Sequence, residues 1–260
     1  MHEEMIKVAG HKMYVASAGK GKPVVLVHGF ASSVSTSWGQ NFDALAKRFH
    51  VFGVDLLGFG RSDRPTAPYS LDFFAENVKA LVDHYEIVRP SLVGWSMGGG
   101  VVLQYAFQYP NMVDKLVLVD ASRLRRAPPS GAPSPPQPQG GGPLTKESVR
   151  KDWEKYFYET HEIPKGLVEE AFRQNSRPGS KMVRETFRRN KWSSFYENLR
   201  LIKAPTLILV GSHSSLPLED ARAAQTQMNA ELYVFERTRH GLHIEKADEF
   251  NKVVTDFLRK

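Results

Sequence analysis

Five short stretches of the chain are apolar almost without interruption: residues 24–28 (VVLVH), 51–55 (VFGVD), 91–94 (SLVG), 116–120 (LVLVD) and 207–211 (LILVG). Val, Leu and Ile dominate them. Continuous rather than alternating hydrophobicity means that both faces are covered, as in strands inside a parallel sheet. A last strand, LYVF at 232–235, precedes a closing helix near 246–259. Between the runs the sequence turns helical. Ser70 reads as the N-cap of LDFFAENVKALVDHYEI, and a helix follows Ser96 as far as Tyr109, where Pro110 stops it. The alternation predicts an α/β fold built on a doubly wound, mostly parallel sheet.

The alternation breaks after Asp120. Residues 127–143, APPSGAPSPPQPQGGGP, hold seven of the 16 prolines and four of the 20 glycines, which is loop composition. Amphipathic helical sequence follows from about Lys146 to Leu201, before the sheet resumes near Ala204. The expected organisation is a core formed by residues 1–121 and 201–260, with 122–200 inserted as a helical cap over the sheet. Charge follows the same division. The chain carries a net +7, and residues 122–200 hold sixteen Lys/Arg against nine Asp/Glu, so the whole excess lies in the insertion. That excess can steer anions or solvate a surface. It lacks the dense basic runs with interleaved aromatics that nucleic-acid binding would require.

At 260 residues, 41% of them hydrophobic, the chain can bury one sizeable core. The absence of Cys excludes disulfides, thiolate catalysis and Cys-based metal sites. The N-terminus MHEEMIKVAG has no apolar leader and no run is long enough to span a bilayer, so a cytoplasmic protein is the default expectation.

Gly94-Trp95-Ser96-Met97-Gly98 reads G-x-S-x-G, between the strand SLVG and the helix GGVVLQYAFQY. A sharp strand-to-helix turn of this kind lifts a serine hydroxyl above the sheet edge. Its glycines permit the strained backbone, and the helix N-terminus faces the developing oxyanion. The motif alone is weak. Its context makes Ser96 the candidate nucleophile, and serine needs a base. His240, five residues beyond LYVF, is the candidate, with His243 as its rival; His243 is instead expected in the pocket or the packing. The strand ending in His28-Gly29-Phe30 would supply the Phe30 N–H to an oxyanion hole completed by the Met97 N–H. His28 reads as a structural hydrogen-bonder, and Asp55, Arg61 and Asp63 as braces for the following loop. Trp95 is a candidate substrate contact. Trp153, Tyr156, Phe157, Tyr158 and Trp192 would fill the cap's core, with one or two facing substrate.

HGF, DLLGFGRSDRP (55–65), GWSMGG, LVLVD and H-x-x-H-I-E-K-x-x-E-F together resemble the α/β-hydrolase superfamily over roughly residues 10–260, weakly in the insertion. They are similar in style to its small capped members: carboxylesterases, perhydrolases and the C–C hydrolases of meta-cleavage products. The resemblance implies a triad acid after LILVG, as G-x-x-D before a proline. This chain reads Gly211-Ser212-His213-Ser214-Ser215-Leu216-Pro217, with Ser214 where Asp is expected. Asp120, ending the preceding strand, is one replacement. Asp220 or Glu219 is another, and a dyad or a degenerate site is the third. A hydroxyl can hold the histidine tautomer but cannot stabilise imidazolium as a carboxylate does.

The expectation is therefore a hydrolase needing neither cofactor nor metal, cleaving a carboxylic ester through an acyl-enzyme on Ser96. A C–C bond beside a ketone is the alternative. A ligand receptor with little turnover is the rival from another class. The partner would be a small-molecule ester or ketone, favoured if anionic; no nucleic acid and no membrane span is expected, and oligomeric state is open. Serine at position 96 argues against dehalogenase and epoxide hydrolase chemistry, which would require Asp there.

Overall fold

The computed structural model describes residues 1–126, 143–190 and 193–260. Most of the Pro/Gly-rich stretch 127–143, and Trp192, lie outside the described residues. Eight strands form one sheet: β1 (His2–Val8), β2 (His11–Ala18), β3 (Pro23–Val27), β4 (His50–Val54), β5 (Ser91–Trp95), β6 (Leu116–Val119), β7 (Thr206–Gly211) and β8 (Glu231–Phe235). Their order is β1-β2-β4-β3-β5-β6-β7-β8. From β4 to β8 every neighbouring pair is parallel, whereas β1 and β2 form an antiparallel hairpin joined to β4.

The six apolar runs become β3 to β8. The hairpin was not expected, because its residues read as neither a continuous apolar run nor a helix. At the sheet edge a half-covered strand is enough: Ile6 and Val8 are buried while Met5 and Lys7, which alternate with them, are exposed.

Helices cover both faces. They are α1 (Val34–Trp38), α2 (Phe42–Ala46), α3 (Leu71–His84), α4 (Met97–Gln108), α5 (Lys146–Glu154), α6 (Leu167–Asn175), α7 (Ser180–Arg189), α8 (Leu218–Met228), α9 (Leu242–Glu245) and α10 (Ala247–Arg259). Along β3, Val25 and Val27 face a cluster with Phe74 and Val78 of α3, Val101 of α4 and Ala224 of α8. Val24 and Leu26 face the other, with Trp38, Phe42, Phe250 and Val254. Both sides of each central strand are dry, which is why their sequences do not alternate. Each such side chain contributes about 1.5–3 kcal/mol on burial. Ser70 caps α3 by accepting the Phe73 N–H at 3.2 Å, as its position before the apolar periodicity predicts. Among the described residues, α5, α6 and α7 lie between β6 and β7 in the chain, and Trp153 and Leu167 from them join the second cluster. Among the described residues, no helix is long and apolar enough to cross a membrane.

Candidate active site

The parallel strands end on one edge of the sheet, and that edge gathers the candidate residues: Phe30 after β3, Ser96 after β5, Asp120 after β6, Ser214 after β7 and His240 after β8. Ser96 takes φ 55° and ψ −116°, a strained conformation for a residue with a Cβ. The surroundings enforce it. The Ser96 N–H donates to the Val119 carbonyl at 3.0 Å, and the Ser96 carbonyl accepts the Ser122 N–H at 2.9 Å. Glycine is required at position 98, where a Cβ would sit 2.3 Å from the Val27 carbonyl oxygen.

The Ser96 hydroxyl donates to His240 Nε2 at 2.8 Å. On the other side of the ring, Nδ1 meets Asp120 Oδ2 in a short hydrogen bond. An ionised carboxylate only accepts, so Nδ1 carries the proton and Nε2 is left free to receive the serine's. Asp120 is 3% exposed, sits at φ 41° and is held by its N–H to the Leu209 carbonyl at 2.8 Å. The other acid candidates point elsewhere: Asp220 accepts from Arg126 Nε at 2.8 Å, and Glu219 lies 3.5 Å from the same guanidinium.

His240 is anchored by its own backbone. Its carbonyl accepts the Trp95 Nε1–H at 2.8 Å, and the next N–H, of Gly241, donates to the Tyr156 carbonyl at 2.8 Å. The Tyr156 ring lies 4.8 Å from the His240 ring, and burial pushes its hydroxyl up to about 12. Glu245 holds the turn from below, accepting the N–H groups of Arg239 (2.8 Å) and Tyr158 (2.5 Å); burial raises its carboxyl above the usual range.

At the end of β3, a Cβ on Gly29 would lie 3.3 Å from Ser96 Cβ, so the Gly29–Phe30 backbone runs directly past the serine. The Met97 N–H, in the first turn of α4, has no carbonyl one turn back to bond. The loop after β3 and the first turn of α4 thus meet at Ser96 from different elements. The Phe30 ring stacks on Phe187 of α7 at 4.3 Å, and Asn175 of α6 donates to the Ala31 carbonyl at 2.7 Å. Ala31 itself has φ 55°, so α6 and α7 brace a strained loop.

Trp95 and His243 sit in the packing rather than on an open surface. Trp95 is 1% exposed, wedged among Trp153, Tyr156 and His243. His243 is fully buried between the rings of Trp95 and Trp38, and burial pushes its imidazole down to about 3. His28 is likewise fully buried. Its Nδ1–H donates to the Gly29 carbonyl at 2.7 Å, its Nε2 accepts the Leu56 N–H at 3.1 Å, and burial lowers its pKa. Asp55 accepts the N–H groups of Val34 (2.7 Å) and Arg61 (2.8 Å), and Asp63 accepts that of Lys12 (2.7 Å), each bracing a loop.

Sequence reasoning missed Tyr156, Asn175 and Glu245 as supports, because each acts through a backbone group far away in the chain. It also missed what Ser214 touches: its hydroxyl reaches Asp120 Oδ1 at 2.6 Å and Oδ2 at 2.5 Å. Among the described residues, no cluster of three or more His, Asp or Glu is arranged to hold a metal ion.

The alpha/beta hydrolase fold family profile matches residues 22–247. An uncharacterized protein of Mycobacterium tuberculosis is 42% identical over 119 residues, 46% of this chain and 35% of that protein, so the match spans about a third of that relative's length. The 2-hydroxy-6-oxo-2,4-heptadienoate hydrolase of Pseudomonas putida is 29% identical over 269 residues, 98% of this chain and 95% of that protein. The solved structure of the meta-cleavage product hydrolase from Pseudomonas fluorescens superposes with a TM-score of 0.87 at 26% identity, over 98% of this chain and 97% of that one.

Proposed function

The chain belongs to the α/β-hydrolase family, and from that premise we propose that it is a serine hydrolase cleaving the carbon–carbon bond beside the ketone of an enol-ketone acid. The observation that carries the serine mechanism is the hydrogen-bonded run from Ser96 through His240 to Asp120. The choice of bond is supported by relatives aligned over nearly their whole length, which are named as a 2-hydroxy-6-oxo-2,4-heptadienoate hydrolase and a meta-cleavage product hydrolase. The expectation drawn from the sequence is an ester, although the motifs themselves specify the superfamily and not the bond. An ester would be attacked by the same groups, so substrate rather than site geometry separates the two reactions.

In a 2-hydroxy-6-oxo-dienoate, a conjugated chain joins the enol at C2 to the ketone at C6. Once the enol has ketonised, the electron pair released by breaking C5–C6 can delocalise onto the C2 carbonyl oxygen. Ser96 Oγ, losing its proton to His240 Nε2, bonds to C6, and the N–H groups of Phe30 and Met97 hold the oxyanion. Collapse breaks C5–C6, and His240 returns the proton to the departing carbon fragment. Water, deprotonated by His240, then cleaves the acyl–Ser96 ester and releases a carboxylic acid. Asp120 stabilises the imidazolium formed in each half. Residues 122–200 serve as a cap over this site, a reading supported by the hold of Tyr156, Asn175 and Phe187 on the loops around Ser96.

Two measurements test the proposal. Ser96 should be labelled by a fluorophosphonate, and Ser96→Ala should abolish both labelling and turnover in a protein that remains folded. A 2-hydroxy-6-oxo-dienoate should then be consumed with kcat/KM above that for p-nitrophenyl acetate. Failure to label Ser96 overturns the serine mechanism and favours a receptor. A large preference for the ester overturns the choice of bond.

A further inference from the structure

We propose that Ser214 is a positioning residue for this reaction, its hydroxyl fixing the Asp120 carboxylate against His240. The inference rests on the reading of Ser96, His240 and Asp120 as the reacting group. A carboxylate removed from water needs donors on its oxygens. Asp120 is almost completely buried, and the donors directed at it are His240 Nδ1 and Ser214 Oγ. The serine proton is shared across both oxygens. Its direction is set by a second bond, in which Ser214 Oγ accepts the Leu216 N–H at 3.1 Å and so turns the hydroxyl proton away from that side.

The Ser214 backbone is fixed as well. Its N–H donates to the Gly211 carbonyl at 3.0 Å, and the preceding N–H, of His213, donates to the Thr238 carbonyl at 2.9 Å, two residues before His240. Asp120 has its own backbone fixed by β7 through Leu209, which leaves carboxylate rotation as the remaining freedom. Ser214 removes that freedom. The residue standing where the resemblance implies an acid thus does not replace that acid: it serves a carboxylate on the neighbouring strand.

The test uses the rate of inactivation by a fluorophosphonate, which needs no knowledge of the natural substrate. Ser96 Oγ bonds to phosphorus, the P–F bond breaks, fluoride leaves, and the serine proton passes to His240 Nε2 and then to water. The rate therefore has an acid limb that reports protonation of the base. The titratable and charged groups packed near the pair include Tyr156 on the chain segment before α6, His243 and Glu245 of α9, Arg239 beside His240, His213 in the β7 loop, and Arg125, which donates to the Ser215 carbonyl. All are present in wild type and variant alike, so a difference between the two isolates Ser214.

Removing the hydroxyl makes the carboxylate a stronger acceptor and the imidazolium easier to form. In Ser214→Ala the acid limb should move to higher pH by about half a unit to one unit, and the plateau rate should fall by about 3- to 30-fold. Ser214→Thr, which keeps the hydroxyl, should return the limb towards wild type. In an Asp120→Asn background, Ser214→Ala should move nothing further. An acid limb unmoved in Ser214→Ala, with Ser96 still labelled, overturns the inference alone; so does an equal shift in the Asp120→Asn background. If Ser96 of the wild type is not labelled, the underlying site reading falls and this inference with it.

Discussion

Asp120 sits at a strand end where a left-handed backbone, a buried carboxylate and two converging donors meet. In the proposed mechanism its charge balances the imidazolium that each half of the reaction creates. Asp120→Asn should therefore cost about 10⁴-fold in kcat with little change in KM. In that variant Ser214→Asp should recover part of the loss, since position 214 already touches the carboxylate it would replace. A nearly silent Asp120→Asn would remove Asp120 from the mechanism. The buried histidines make a different prediction. His243 is neutral in the folded protein and becomes protonated below about 6.5 once unfolded. Because the unfolded state then binds more protons, this group's contribution to stability is present above that value and is lost as pH falls from 6.5 towards about 3. The slope is roughly 1 kcal/mol per pH unit. His243→Gln should reduce the slope of unfolding free energy against pH between 6.5 and 4.5, whatever it does to stability at pH 7. Equal slopes in the two proteins would show that His243 titrates normally in the fold.

The turn between β5 and α4 joins strand, strained residue and helix within a few residues, and it tolerates no extra atom. A methyl at Gly98 would meet the backbone oxygens of Val27 at 2.3 Å and His28 at 2.6 Å, and Val27 is held in the β3–β5 pairing opposite Gly94. Gly98→Ala should lower stability by about 1–3 kcal/mol and Tm by about 5 °C or more. It should also slow fluorophosphonate labelling of Ser96, because the elbow and the Phe30 loop shift together. Wild-type thermal unfolding and labelling in Gly98→Ala would show that α4 is free to slide away from β3. Helices α6 and α7 hold the same loop: α6 through Asn175 on Ala31, and α7 through Phe187 on Phe30.

Across the whole molecule the charge is uneven. Residues 122–200 carry the entire +7, while the remainder is neutral. Read as a cap, that stretch presents a positive field near Ser96, and fields of this kind raise the encounter rate of anions. The effect fades as salt shortens the screening length, about 10 Å at 0.1 M. With added salt, kcat/KM for a carboxylate-bearing substrate should fall while that for a neutral one of similar size should hardly change. Equal salt dependence for the two would leave the basic residues as surface solvation.

The sequence by itself determined the parallel sheet, the serine on its turn and the histidine that follows the last strand. Each is written in local pattern: unbroken apolar runs for β3 to β8, G-x-S-x-G at a strand-to-helix boundary, and His240 just beyond LYVF. It left the acid open, because Asp120, Glu219 and Asp220 all stand near strand ends and a sequence does not say which carboxylate faces which ring. Only the tertiary structure decided that, by pairing β6 with β7 and turning Glu219 and Asp220 towards Arg126. The N-terminal hairpin was hidden for a related reason, since an edge strand covered on one side carries too weak a pattern to announce itself. Ser214 marks the same boundary. Its identity could be read in the chain, but its partner, 94 residues away, exists only once the two strand ends are side by side.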